Sequence, residues 1–388
     1  VTAWREHRLV GVDAARGIAL LGMMAVHVVP PLRPDGVVST AYLLAAGRSA
    51  ALFAVLAGVG LALLSGGARL RRGRALRRTQ VAVAVRAVLL VALGLWLGTL
   101  DSGVAVILVY YGVLFVLATA FLGLGPVPLA WLAAGTAVVV PVVSHVLRPA
   151  LPAPSYDVPT LAMVSRPGQS LAELTLTGYY PALPWLAYLF AGLAVGRLVL
   201  SERSVAVRLL LGGLVLAIGA RVLSALLLGP VGGFDVLRAE QPQLFTLPLD
   251  VALRVGLFGT TPTGSPWWLA VAAPHTATPL DLAATIGSSL AVLGLLLLVL
   301  PSPRWWAAPL VAVGGMTLTL YTLHVLLLAG PLPGGSTLAW GAHVLVAVVV
   351  ALPWRRFVGQ GPLEWVTQKV AGSVSRAALP ERPAVPSA

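Results

Sequence analysis

Residues 69–99 read RLRRGRALRRTQVAVAVRAVLLVALGLWLGT. Six arginines crowd the first ten positions, and the following 21 residues, 79–99, carry Arg86 as their only charge. A helix rises about 1.5 Å per residue, so a run of this length matches the roughly 30 Å apolar layer of a bilayer. Its valines, leucines and alanines are continuous and do not alternate with polar residues, which excludes the strand pattern of a membrane barrel. The stretch reads as a transmembrane helix preceded by a basic anchor.

Similar runs cover the rest of the chain. Ten spans are predicted, at 9–30, 41–65, 79–99, 103–123, 126–147, 182–200, 205–228, 283–300, 304–329 and 336–354. The 388 residues are 58% hydrophobic and 10% charged, with mean hydropathy +0.93, far too apolar for a water-soluble fold. The predicted fold is an all-α polytopic integral membrane protein whose first partner is the lipid bilayer. Asp13 and Arg16 interrupt the first run, which argues against a cleaved signal peptide. The chain has no cysteine, so thiol nucleophiles and disulfides are excluded.

The formal charge of +13 raises the question of nucleic acid, and the placement of the charges answers it. With the amino terminus inside, one side of the membrane carries 16 Lys and Arg against 4 acids, and the other carries 5 against 8. That is the positive-inside bias, so both termini are expected in the cytoplasm and no nucleic acid is called for. The run from Arg69 to Arg78 then faces anionic lipid or a cytosolic ligand. The expected location is the cell membrane, crossed many times.

One membrane domain is expected over residues 1–372, followed by a disordered cytoplasmic tail, 373–388, rich in Pro and Ala. Two outer connections are long, 148–181 and 229–281, the second carrying Trp267, Trp268 and His275. Loops of this length are commonly either functional or disordered, and paired tryptophans also suit a membrane interface. No internal repeat is evident.

Ionisable side chains inside a span cost about 2.5–3.5 kcal/mol each on an insertion scale, so each calls for a partner or a role. At 100° per residue, Asp13, Arg16 and His27 fall within an arc of about 60° on the first helix. Asp13 and Arg16 suit an internal ion pair as well as a ligand site, and His27 suits a helix-end residue bonded to a carbonyl as well as a base. Arg48 is expected near the depth of His27, and Arg86 near that of Arg16. In the ninth span Thr317, Tyr321 and His324 follow i, i+4, i+7 spacing and share a face. Two polar levels result: Asp13, Arg16 and Arg86 toward the cytosol, His27, Arg48 and His324 toward the outside. The histidines lack metal-ligand spacing, so no metal is expected. A histidine base among cationic neighbours fits better.

The stretch RLVGVDAARGIALLGMMAVH at 8–27 resembles two related groups of membrane acyltransferases. One comprises the heparan-α-glucosaminide N-acetyltransferase-like proteins and their bacterial YeiB-type relatives, and the other is the acyltransferase-3 family of glycan O-acyltransferases. Asp13, Arg16 and Gly17 match both groups, and His27 matches the first-helix histidine taken as catalytic in the acyltransferase-3 pattern. In the first group the proposed catalytic histidine lies between the first two spans, where residues 31–40 here contain none. GRSAALFAVLAG at 47–58, YYPALPWLAYLFAGLAVGRL at 179–198, GGMTLTLYTLHVL at 314–326 and GPLEW at 361–365 are similar to the YeiB-type proteins.

The resemblance implies transfer of an acyl group, acetyl in the first instance, from cytosolic acyl-CoA to an extracytoplasmic glycan or lipid-linked sugar. His27, Arg48 and His324 are the expected catalytic residues, with His27 as general base or as acyl carrier and Arg48 or a nearby donor steadying the oxyanion. Asp13, Arg16, Arg86, Arg71, Arg72 and Arg74 are expected to bind the acyl-CoA co-substrate, arginine being suited to phosphate. Tyr321, Trp185 and His275 are expected to hold the acceptor. A transporter or flippase for a lipid or polar metabolite, a non-catalytic membrane partner, and a homodimer all stay open.

Overall fold

The computed structural model describes residues 9–240 and 246–379, and among these the regular structure is helical, with no strand beyond one isolated bridge between Leu32 and Val38. In chain order the helices are α1 (Val10–Val28), α2 (Thr40–Ala45), α3 (Arg48–Leu64), α4 (Gly73–Leu97), α5 (Leu108–Ala118), α6 (Pro126–Leu147), α7 (Pro167–Ala172) and α8 (Ala182–Gly196). They continue with α9 (Arg203–Leu228), α10 (Gly233–Ala239), α11 (Leu249–Val255), α12 (Pro279–Val299), α13 (Ala308–Gly314), α14 (Thr317–Leu328), α15 (Thr337–Phe357) and α16 (Pro362–Ala378).

A helix occupies each of the ten expected segments, but the segments are not equal. Among the described residues seven helical segments, α2 with α3 counting as one, are long and apolar enough to cross a membrane, and α13 with α14 makes an eighth if the pair, bent by 75°, is taken as one broken span. The remaining two are short: α8 has 15 residues, about 22 Å of rise, and α5 has 11 before a closing 3-10 turn. α4 begins six residues before the expected boundary at 79, because arginine and alanine sustain a helix well, so Arg74, Arg77 and Arg78 lie on its first turns. Helix α16 runs to Ala378, past the expected start of the tail at 373. The rest of that tail, 380–388, and the basic amino terminus with Arg5 and Arg8 lie outside the described residues.

Burial separates the helices into a centre and a shell. In α1 and the α2–α3 segment 67% of the span is buried, against 28% in α4, α6 and α9 and 17% in α15. The shell presents Trp131, Val215 and Leu345 outward, an apolar surface that suits lipid and not water. In lipid the hydrophobic effect does little to hold helices together, and close backbone approach takes its place. Gly58 and Gly192 face each other where α3 crosses α8, a Cβ on Gly58 lying 2.9 Å from the Gly192 Cα. Gly213 and Gly287 do the same for α9 and α12. At the break, Gly314 packs directly against the backbone of Asp13 and Gly17.

One buried cation locks an end of this bundle. Arg197, 4% exposed, closes α8 and donates to the carbonyls of Ala62 at 2.8 Å, Gly67 at 3.2 Å, Leu122 at 2.5 Å and Leu124 at 3.2 Å, and to Ser65 Oγ at 2.9 Å. These carbonyls follow the last turns of α3 and α5, where helix dipoles are negative and orphan acceptors collect. At the same end Glu364, in the first turn of α16, caps the start of α14.

Candidate functional site

The opposite end of the bundle gathers the last turn of α1, the breaks flanking α2, the end of α14 and the start of α15. His27 and His324 stack there, with ring centroids 5.4 Å apart and planes 15° apart, and His27 Nδ1 lies 3.2 Å from His324 Nε2. His324 Nδ1 in turn lies 3.0 Å from Nδ1 of His343, on α15, whose Nε2 lies 3.0 Å from the Leu332 carbonyl oxygen. Tyr321 meets His27 edge to face at 6.5 Å. Three helices thus deliver three imidazoles to one row.

His27 and Tyr321 line a cavity of about 170 Å³ with Tyr42, Gly47, Ser49, Tyr179, Tyr180 and His275. A water needs roughly 10–15 Å³ on the same measure, so the cavity admits small polar substrate groups as well as solvent. Tyr42 is oriented by its hydroxyl, which donates to the Val26 carbonyl at 3.2 Å. Gly47 breaks the segment between α2 and α3 at φ +70°, a left-handed value natural to glycine, and a Cβ there would stand 3.1 Å from Pro274. That contact seats the loop carrying His275.

The loop is strained and firmly held. His275 and Ala277 adopt φ +55° and +50°, unusual for residues with side chains. Asp281 Oδ2 accepts the amides of Thr276 at 3.2 Å and Ala277 at 3.1 Å, Thr278 Oγ1 accepts the Asp281 amide at 3.1 Å, and the His275 carbonyl accepts the Gly259 amide at 2.8 Å. Strain sustained by so many bonds is typical of functional sites. His275 packs on Tyr179 and Tyr180 at 5.6 and 5.8 Å, and burial lowers its pKa to about 4, so it is neutral in ordinary buffers.

The expected residues separate into those the structure brings together and those it does not. His27, Tyr321 and His275 meet at the cavity, with His324 directly behind His27. Trp185 stands a layer back, buried against Tyr180 and Tyr188 at 5.1 Å each. Arg48 opens α3, but its guanidinium turns away to donate to the Leu43 carbonyl, and it is not among the cavity-lining residues. Its neighbours Ser49 and Ala50 do line the cavity, and among the described residues their amides have no backbone acceptor, as expected in the first turn of a helix. His343, Tyr42 and Tyr179 were not anticipated. His343 is a lone ionisable residue at one end of an apolar helix, the same signal that singled out His27.

The second polar level lies toward the end that holds Arg197. Asp13 is buried in α1, and Arg16 extends to α3, its Nη2 lying 2.7 Å from where a Cβ on Gly60 would be. Arg86 Nε is buried with no hydrogen-bond partner. Arg71, Arg72 and Arg74 are exposed around the start of α4, with Arg71 Nη1 donating to Thr79 Oγ1 at 3.2 Å. Among the described residues no group of three His, Asp or Glu is arranged to hold a metal ion.

The fold and site define a multi-helix membrane protein with a histidine-lined cavity at one end and a cluster of arginines toward the other. The family model described as heparan-alpha-glucosaminide N-acetyltransferase, catalytic, matches residues 8–226, more than half of the chain, and the chain belongs to that family. No curated protein matches it. The matched segment runs from before α1 to the last turns of α9 and contains His27, whereas His275, His324 and His343 come from beyond it.

Proposed function

We propose that the protein is a transmembrane acyltransferase that takes an acyl group, acetyl in the first instance, from cytosolic acyl-CoA. The acceptor is a hydroxyl or amine of an extracytoplasmic glycan or lipid-linked sugar. Membership of the N-acetyltransferase family carries this reading. On this reading the chain crosses the plasma membrane with both termini in the cytoplasm, as the positive-inside charge bias supports, and residues 1–372 act as one catalytic unit.

The arginines suit the donor. Arg71, Arg72 and Arg74 surround the basic face where the CoA phosphates would be met, and Arg86 lies further in with its Nε buried and without a hydrogen-bond partner. The broken span supports a short path to the cavity: from Thr317 at the break to His324 is seven residues of α14, about 10 Å of rise. The pantetheine arm would thread among these helices.

At the cavity, the acceptor O–H or N–H gives its proton to His27, its lone pair forms a bond to the acyl carbonyl carbon, and the C–S bond breaks with the electron pair leaving on the CoA sulfur. The developing oxyanion would be met by the free amides of Ser49 and Ala50, a task the orientation of Arg48 does not favour. Tyr42, Tyr179 and His275 line the acceptor side. Transporters that use broken helices typically carry them in matched pairs, and among the described residues a single helix pair, α13 with α14, is sharply bent.

Sealed proteoliposomes with radiolabelled acetyl-CoA on the arginine side and a panel of amino sugars and glycans on the other test the proposal. Label should appear on an acceptor across the membrane, and His27→Ala should reduce it by about 100-fold or more in folded protein. Absence of transfer and of thioester cleavage with every acyl-CoA tried would overturn it.

A further inference from the structure

The histidine row contains a proton count with one solution. A carbonyl oxygen only accepts, so the 3.0 Å contact between His343 Nε2 and Leu332 O requires the His343 proton on Nε2. A neutral imidazole has one N–H, which leaves His343 Nδ1 as an acceptor. The 3.0 Å contact to His324 Nδ1 then requires the His324 proton on Nδ1, and His324 Nε2 becomes an acceptor. The 3.2 Å contact to His27 Nδ1 in turn requires the His27 proton on Nδ1. Three imidazoles supply three protons to three hydrogen bonds, and the one nitrogen left bare is His27 Nε2, on the ring that lines the cavity.

We infer that His324 and His343 are positioning residues that set the His27 tautomer, with the Leu332 carbonyl as the anchor of the relay. This rests on the acyltransfer reading only for what the bare nitrogen does, base or acyl carrier. Both roles need the same lone pair at Nε2, so the relay serves either. It also distinguishes the two candidate bases: His324 has both nitrogens engaged, and His27 has one to offer. When His27 takes up a proton at Nε2, the Nδ1–H bond to His324 orients the resulting imidazolium, as an orienting acceptor does for a catalytic histidine.

The chain has six histidines, few enough for nitrogen NMR of histidine-labelled full-length protein in lipid, assigned by single substitutions. The expected result is a protonated Nδ1 and bare Nε2 for His27 and His324, and the reverse for His343. His343→Gln should preserve this pattern, because an amide accepts from His324 through its oxygen and donates to Leu332 through its nitrogen. His343→Phe should abolish it, returning His27 to a mixture of tautomers, with turnover falling about 10- to 100-fold at little change in KM. A wild-type His27 that carries its proton on Nε2 would overturn the inference without any variant having to fold. An unchanged His27 tautomer in His343→Phe would do the same. If the tautomers are as stated but the wild type transfers no acyl group, the relay stands and the proposed activity falls.

Discussion

Glu364 Oε1 accepts the Leu318 amide at 2.7 Å, so a side chain of α16 caps the helix that carries Tyr321 and His324. The same carboxylate accepts the Thr319 amide at 3.3 Å and, through Oε2, the Thr319 hydroxyl at 2.6 Å. Loss of an N-cap costs about 0.5–2 kcal/mol. Glu364→Ala should therefore speed amide exchange over residues 318–320 and lower the melting temperature, while Glu364→Gln, which keeps an acceptor, should do less. Hydrogen exchange read by mass spectrometry checks this, and unchanged exchange in the alanine variant would remove the cap from the account.

His275 gives a pH signature. Its ordinary pKa is about 6.5, and burial lowers it to about 4 in the folded chain. Between those values the unfolded chain binds a proton that the folded one refuses, so this contribution to stability is full above pH 6.5 and is lost as pH falls toward 4. The slope approaches about 1.4 kcal/mol per pH unit. His275→Asn, which tolerates the left-handed backbone, should flatten the fall in melting temperature between pH 6.5 and 4 relative to wild type. Parallel curves would mean that His275 is protonated in the fold.

Acyl-CoA should stabilise the purified protein by mass action, by about 2.7 kcal/mol at 100 times its Kd. Arg86→Ala, and removal of the arginines at 71 and 72, should shrink that shift. Arg33→Ala should leave it unchanged, because Arg33 lies in the loop after α1, 3.5 Å from Asp35. A melting temperature indifferent to CoA and to several acyl-CoAs would favour transport or a partner role.

A chain without cysteine makes topology straightforward to read. Single cysteines at the exposed positions Ala68 and Ala377 should react with an impermeant reagent only from the cytoplasmic side, and those at Ala162 and Ala239 only from outside. Labelling of Ala68→Cys from outside would reverse the orientation of the whole bundle.

The ten apolar segments, and the gathering of His27 and His324 at one end, were legible because hydropathy and helical period are local properties. Arg48 was not legible: its depth follows from the sequence, but its direction is decided by the break at Gly47 and the nearby Leu43 carbonyl. The break between α13 and α14 was hidden as well, since its cause is the packing of Gly314 on α1 and a cap contributed by Glu364, about 45 residues later in the chain. The helical continuation to Ala378 was visible in the four-residue spacing of Val366, Val370 and Val374, which the Pro- and Ala-rich composition of the chain beyond obscured. His343 was readable on the same ground as His27, but its place in the relay depends on three helices meeting.

Arg197 gathers the final turns of α3 and α5 onto α8 through five hydrogen bonds, while at the histidine end the contacts between imidazoles join α1, α14 and α15. At the arginine end α3, α5 and α8 therefore share one clasp, and a shift of any of them would strand buried carbonyls.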